Sequence, residues 1–446
     1  MKQLLALFAV LLFGTGMLSA QDITATWYGN PDLGGRRMRI NFRFTETNGA
    51  YSGAMQSPDQ SGQWVPFEAV TFDGGVLKTT IPAIGFTYEG RPEGGRLVGA
   101  FTQMGRTFPL EMTREEIDLN RPQEPKPKYP YDIAGVTFRN EEAGITLAGT
   151  LTVPWGKGSF PAVILISGSG PQNRDSELFQ HKPFWIIADR LVQQGIAVLR
   201  YDDRGVGDSE GVYATATFDD FASDASSALA WLKNQPKIDA SKAGAIGHSE
   251  GGAIVLMLAA EHEPAFIVSL AGPGIVGLDV SVQQGIAMMR AYGASEEDAI
   301  QYGQMNERIM QEMLKFEDPA ERRQHITALL AGTPLAGQED ALLSQLTPEI
   351  VSLLRFDPAA YYPRIECPVL ALNGEKDVQV VASPNLEGIR SGITANGNDR
   401  VTVKAYLGLN HLFQPAETGL PTEYGEIEIT FSGEVIQDIA DWILVQ

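Results

Sequence analysis

A chain of 446 residues carrying a formal charge of −21 is too long for one ordinary domain, and its surface should repel nucleic-acid phosphates. An extended basic patch with interleaved aromatics is absent, so no nucleic-acid partner is expected. A single cysteine, Cys367, excludes an intramolecular disulfide framework and sits in an apolar strand-like run as a small buried hydrophobe.

Residues 1–20 read as a signal peptide. Lys2 precedes an apolar run from Leu4 to Phe13, and Leu18-Ser19-Ala20 offers a cleavage site before Gln21. No stretch reaches the roughly 18–20 apolar residues of a membrane span, so integral membrane association is not expected. Residues 21–113 alternate polar and apolar side chains, as in Met38–Phe44, between turns such as Gly34-Gly35, Asp73-Gly74-Gly75 and Glu93-Gly94-Gly95. That pattern predicts a small antiparallel β-barrel or sandwich, with Trp27, Tyr28, Trp64, Phe86 and Tyr88 better placed as core than as a binding groove. Residues 114–130, with Pro122, Pro125, Pro127 and Pro130, have the composition of a linker or an extended strap.

From residue 131 to 446 the pattern changes. Strands over Val136–Phe138 and Ile145–Val153 precede apolar runs at Pro161–Ile166, Ile196–Tyr201, Ala243–Ile246, Phe266–Leu270, Cys367–Leu372 and Val401–Tyr406. Helical stretches at Trp185–Gln194, Phe218–Asn234, Gly251–Glu261 and Glu434–Leu444 alternate with them. Apolar strands without polar alternation, separated by helices, predict a mostly parallel sheet covered on both faces. Between about 274 and 354 only helices are expected, at Ser281–Tyr292, Ser295–Lys315, Pro319–Leu330 and Gln338–Leu346, forming a helical cap over the C-terminal edge of the sheet.

The segment Gly247-His248-Ser249-Glu250-Gly251 has the form G-x-S-x-G between a strand and a helix. The small residues permit a tight turn that presents Ser249 at a helix N-terminus, where amides and dipole favour developing negative charge. Serine needs a base. Among His181, His248, His262, His325 and His411, only His411 follows a strand end without another evident role. Asp377, in Asn373-Gly374-Glu375-Lys376-Asp377, is the preferred orienting acid, with Glu375 the alternative. The chain order Ser249, Asp377, His411 is that of an α/β hydrolase. The glycine-rich loop Ser167–Asp175 follows a strand and supplies the amide of Ser169 (or of Gly168 or Gly170) as oxyanion donor, beside the amide of Glu250. In Tyr201–Ser209 the P-loop lysine is missing; Asp203 and Arg204 are expected to brace the rim, although Arg204 is also a candidate for a substrate carboxylate.

Together GHSEGG at 247–252, SGSGPQNRD at 167–175, YDDRGVGDS at 201–209, NGEKD at 373–377 and NHLFQ at 410–414 resemble the α/β-hydrolase superfamily. MQSPDQ at 55–60 and GAFTQMG at 99–105 extend the likeness to secreted bacterial two-domain carboxylesterases of the EstD type. The resemblance implies hydrolysis of small-molecule carboxylic esters, often short-acyl, without metal or organic cofactor. It gives Ser249 as nucleophile, Asp377 as acid, His411 as base, and Ser169 and Glu250 as oxyanion amides. Glu250 stands where many esterases carry an uncharged residue, so a peptidase acting on short peptides stays open, with Glu250, Asp208 or Arg204 as candidates to hold a peptide terminus. A thioesterase and a non-catalytic glycan- or peptide-binding protein are further alternatives. The expected location is secreted or periplasmic, and the oligomeric state is left open.

Overall fold

The computed structural model describes residues 22–33, 37–59, 64–103, 105–117, 120–333 and 335–446. The signal-peptide segment and the Gly34-Gly35 turn lie outside the described residues. Two compact units make up the chain, one built on the strands between Thr26 and Thr113 and the other on residues 120–446.

The first unit contains β1 (Thr26–Gly29), β2 (Ile40–Thr47), β3 (Ala50–Gln56), β4 (Val65–Pro66), β5 (Ala69–Asp73), β6 (Val76–Ile81), β7 (Phe86–Glu93), β8 (Arg96–Gln103) and β9 (Arg106–Thr113). They form one antiparallel sheet in the order β4-β3-β2-β1-β9-β8-β7-β6-β5. Its two ends, β4 and β5, are separated in sequence only by Phe67 and Glu68. The Phe67 amide donates to Gly53 O of β3 and the Glu68 amide to Thr80 O of β6, each at 2.9 Å. The sheet therefore curls until its edges meet, which is the barrel of the two expected forms. Phe42 sits at the middle of its core, with Phe44, Phe67, Phe86 and Tyr88 edge-on at 5.1–6.0 Å. Gly90 and Gly99 face each other across β7 and β8 because a Cβ on either would come within 2.1 or 2.8 Å of the Tyr88 hydroxyl. Trp27, Phe86 and Tyr88 are core as expected, whereas Tyr28 and Trp64 are half-buried, Trp64 lying under the Arg43 guanidinium at 4.6 Å.

The second unit begins with an extended stretch. The Arg121 guanidinium donates to Phe179 O, Gly425 O and Ile427 O, and Gln123 is hydrogen-bonded to the backbone of Thr430 and Phe431, so this part of the proline-bearing segment is a strap. Eight strands follow: β10 (Tyr131–Asn140), β11 (Ile145–Pro154), β12 (Phe160–Ile166), β13 (Ala197–Tyr201), β14 (Ile238–His248), β15 (Ile267–Leu270), β16 (Val369–Gly374) and β17 (Val401–Tyr406). Their order is β10-β11-β13-β12-β14-β15-β16-β17, parallel from β13 through β17 with β10 and β11 antiparallel at one edge. Successive side chains of β12 enter two separate cores. Ala162, Ile164 and Ile166 pack with α2 (Phe218–Lys233), α3 (Glu250–Ala260) and α9 (Ala382–Thr394), whereas Val163 and Leu165 pack with α1 (Pro183–Gln193) and α10 (Gly433–Leu444). This is the α/β-hydrolase fold, and period-2 alternation in a strand apolar on both faces is what generates its three layers.

Between β15 and β16 stand α4 (Gly277–Ala291), α5 (Glu296–Lys315), α6 (Pro319–Leu330), α7 (Glu339–Leu343) and α8 (Pro348–Arg355). No strand interrupts the described residues of this insertion, and Ile309, Met313, Ile326 and Leu330 give it a small core of its own. α8 and α9 were not singled out from the sequence. Cys367 is half-buried rather than fully buried, and burial pushes its thiol up to about 11. No helix among the described residues is long and apolar enough to cross a membrane.

Candidate active site

Strand ends bring the chemistry together. β12, β14, β16 and β17 run in one direction, and each is followed at its C-terminal end by a segment singled out above: Ser167–Gln172, Ser249, Asp377 and His411. Ser249 is held at φ 55, ψ −115, a conformation that costs a non-glycine residue about 1–3 kcal/mol and persists only when its surroundings impose it. Here they do. A Cβ on Gly247 would meet Gly251 O at 1.9 Å, and one on Gly251 would meet Ile166 O at 2.3 Å. The Ser249 amide donates to Leu270 O at 2.8 Å, tying the turn to the end of β15. Gly168 also passes close, since its Cβ would lie 3.1 Å from that of Ser249.

The expected acid and base meet directly. Asp377 Oδ2 is 2.8 Å from His411 Nδ1, and both residues are buried. The other carboxylate oxygen, Oδ1, accepts the amides of Gln379 and Val380 at 2.8 Å each, so the carboxylate is fixed at both ends. Glu375, the alternative acid, is exposed. The loop carrying His411 is held by Asn410, whose Oδ1 accepts the amides of Leu412 and Gln414.

His248, set aside from the sequence because it turns away from an exposed Ser249, contacts His411 instead. Its Nε2–H donates to the His411 carbonyl at 2.9 Å, and the two rings are 4.8 Å apart. Burial, reinforced by the neighbouring His411, pulls its pKa down to about 3, so it is a neutral donor near pH 7. The remaining histidines sit elsewhere: His181 is buried between Thr430 Oγ1 and Tyr424 O, His262 is exposed at the end of α3, and His325 stacks on Phe316.

On the oxyanion side, the Gly170 amide is spent on Glu349 Oε1 at 2.7 Å. The Ser169 amide has no backbone partner among the described residues, and the Glu250 amide opens α3, where helix geometry leaves it unpaired. Asp203 accepts from Ser167 Oγ (2.6 Å) and the Gln172 amide (2.9 Å), bracing this loop as expected; burial pushes its carboxyl up to about 7. Arg204 is buried, with Nε bound to Asp224, Nη1 to the Asp220 carboxylate and Nη2 to the Asp220 carbonyl, so its charge is already paired. Asp208 pairs with Arg174 at 2.8 Å. The Glu250 side chain accepts from Ser169 Oγ at 2.8 Å, and burial, reinforced by the neighbouring Glu349, raises its pKa well above the usual carboxylate range.

Cavity size does not single out this place. A cavity of about 780 Å³ lies between α2, α3 and the β10–β11 turn, and a cleft of about 630 Å³ is lined by α4 with Asp377 and Val378; Ser249 and His411 line neither. Among the described residues no group of three or more His, Cys, Asp or Glu could hold a metal ion.

Comparison with known proteins finds similar sequences and structures. Over 311 residues the chain is 26% identical to esterase EstD of Thermotoga maritima, covering 68% of each protein. Among solved structures, an esterase of Pyrococcus furiosus superposes with a TM-score of 0.44 at 17% identity, covering 71% of this chain and 93% of that one. A hypothetical protein of Pseudomonas aeruginosa superposes with a TM-score of 0.45 at 16% identity, covering 73% and 98%. Residues 143–387, more than half of the sequence and including Ser249 and Asp377, match the X-Pro dipeptidyl-peptidase (S15) family, and the chain belongs to that family.

Proposed function

We propose that the chain is a serine carboxylesterase that hydrolyses small, short-acyl carboxylic esters through an acyl-Ser249 intermediate. The observation that carries this reading is the Asp377–His411 hydrogen bond, formed at the same sheet edge that holds Ser249 in its strained turn. Asp377 keeps the proton of His411 on Nδ1, leaving Nε2 to take the Ser249 proton as the hydroxyl attacks the acyl carbon. The amides of Ser169 and Glu250 receive the oxyanion; each such donor is worth roughly 2.7–4 kcal/mol in the transition state. His411 then protonates the departing alcohol, and water activated by the same imidazole releases the acid and restores Ser249. The helical insertion caps this edge and shields it from bulk water.

A dipeptidyl peptidase is the second reading, favoured by the S15 family match. It requires a group to hold a peptide terminus, and the three candidates are occupied. Glu250 is buried and bonded to Ser169, Arg204 is bound to Asp220 and Asp224, and Asp208 is paired with Arg174. That balance supports ester over peptide. Export to a secreted or periplasmic location belongs to the same proposal, on the pattern of residues 1–20.

The test compares the protein and its Ser249→Ala variant on p-nitrophenyl esters of increasing acyl length and on aminoacyl- and X-Pro-p-nitroanilides. Ester turnover that falls with acyl length and is lost in the variant is expected. Dominant anilide turnover would make the chain a peptidase.

A further inference from the structure

The loop bearing the proposed oxyanion donor is held by carboxyl groups at four positions. Asp203 takes Ser167 Oγ and the Gln172 amide, Glu250 takes Ser169 Oγ, and Glu349 takes the Gly170 amide. Three of these four contacts come from elements next to the loop in the sheet. The fourth comes from α8, 179 residues along the chain in the helical insertion. Glu349 also accepts from the Tyr213 hydroxyl at 2.6 Å, and after burial it is the largest influence raising the Glu250 carboxyl. Glu250 and Glu349 are 3% and 5% exposed. The chamber that Asp203, Tyr213 and Glu250 line holds about 10 Å³, room for about one water and no substrate group. These acids therefore act on the protein and not on a ligand.

We propose that Glu349 is a positioning residue for the reaction: it clamps Gly170 from the helical insertion and so aims the adjacent Ser169 amide at the oxyanion. The inference rests on the esterase reading given above.

The experiment measures kcat and KM on a short p-nitrophenyl ester for Glu349→Ala and Glu349→Gln, with hydrogen exchange at the Gly170 amide. Glu349→Ala should lower kcat about tenfold or more, toward the ~100-fold that a 1 Å misplacement can cost, with KM changed less than about threefold. It should also speed Gly170 exchange. Glu349→Gln keeps an acceptor for Gly170, so it should restore kcat to within about threefold. Unchanged kcat and exchange in Glu349→Ala would overturn the proposal. So would equal losses in both variants, or a kcat loss of about tenfold or more in Glu349→Gln if the alanine variant does not fold. A parent protein without ester turnover would fail the esterase reading, while the exchange measurement would still report on the clamp.

Discussion

Replacing Asp377 by asparagine separates geometry from tautomer control. The aspartate Oδ1 accepts two backbone amides, from Gln379 and Val380, and Oδ2 faces His411 Nδ1 at 2.8 Å. An asparagine of the same shape must place its oxygen toward the two amides, because an NH₂ group there would oppose two donors. Its NH₂ then points at His411 Nδ1, which becomes an acceptor, and the imidazole proton moves to Nε2. That nitrogen no longer takes the Ser249 proton. The wrong tautomer in an otherwise intact triad lowers kcat by about 10⁴-fold, or about 5.4 kcal/mol at 1.36 kcal/mol per tenfold. The assay is steady-state hydrolysis of p-nitrophenyl acetate at pH 7–8 by protein whose circular dichroism and melting match the parent. A folded Asp377→Asn variant retaining kcat within about tenfold of the parent would refute the role given to the Asp377–His411 bond.

Two further substitutions probe the frame around the serine. Gly247→Ala puts a methyl 1.9 Å from Gly251 O, a backbone atom that cannot swing aside, so urea denaturation should show a loss of about 1–3 kcal/mol or more. His248, neutral when folded down to about pH 3 but titrating near its ordinary 6.5 when unfolded, makes the unfolded chain bind more protons between those values. Its contribution to stability is therefore complete above pH 6.5 and falls as the pH drops toward 3, by about 3 kcal/mol between pH 7 and pH 4. His248→Gln keeps a donor for the His411 carbonyl and should flatten that part of the pH dependence in guanidinium unfolding; an unchanged slope would contradict the buried neutral state.

Local pattern carries some of this molecule and not the rest. β12, β13 and β14 are apolar runs whose meaning does not depend on partners, and the turn at Ser249 declares itself because crowding admits only glycine at 247 and 251. The helix α9 is different. Its sequence includes Pro384, Gly388 and Gly392, poor helix formers; the two glycines are required because a Cβ at 388 would meet Gly274 O at 2.0 Å and one at 392 the Tyr362 ring at 2.2 Å. Tertiary packing overrides propensity there. Barrel and sandwich were equally legible in the first unit, since closure depends on two hydrogen bonds from Phe67 and Glu68 to strands on opposite edges. The partners of His248 and Glu250 are 163 and 81 residues away, beyond any spacing rule, although an acid beside Ser249 was a visible departure from the usual pattern.

The most direct test of the central claim is to trap the acyl-enzyme. Brief mixing with a slowly deacylating p-nitrophenyl ester or a fluorophosphonate, followed by digestion and mass spectrometry, should find one adduct on the peptide carrying Ser249, absent from Ser249→Ala together with ester turnover. An adduct on another residue, or turnover that survives Ser249→Ala, would contradict the account.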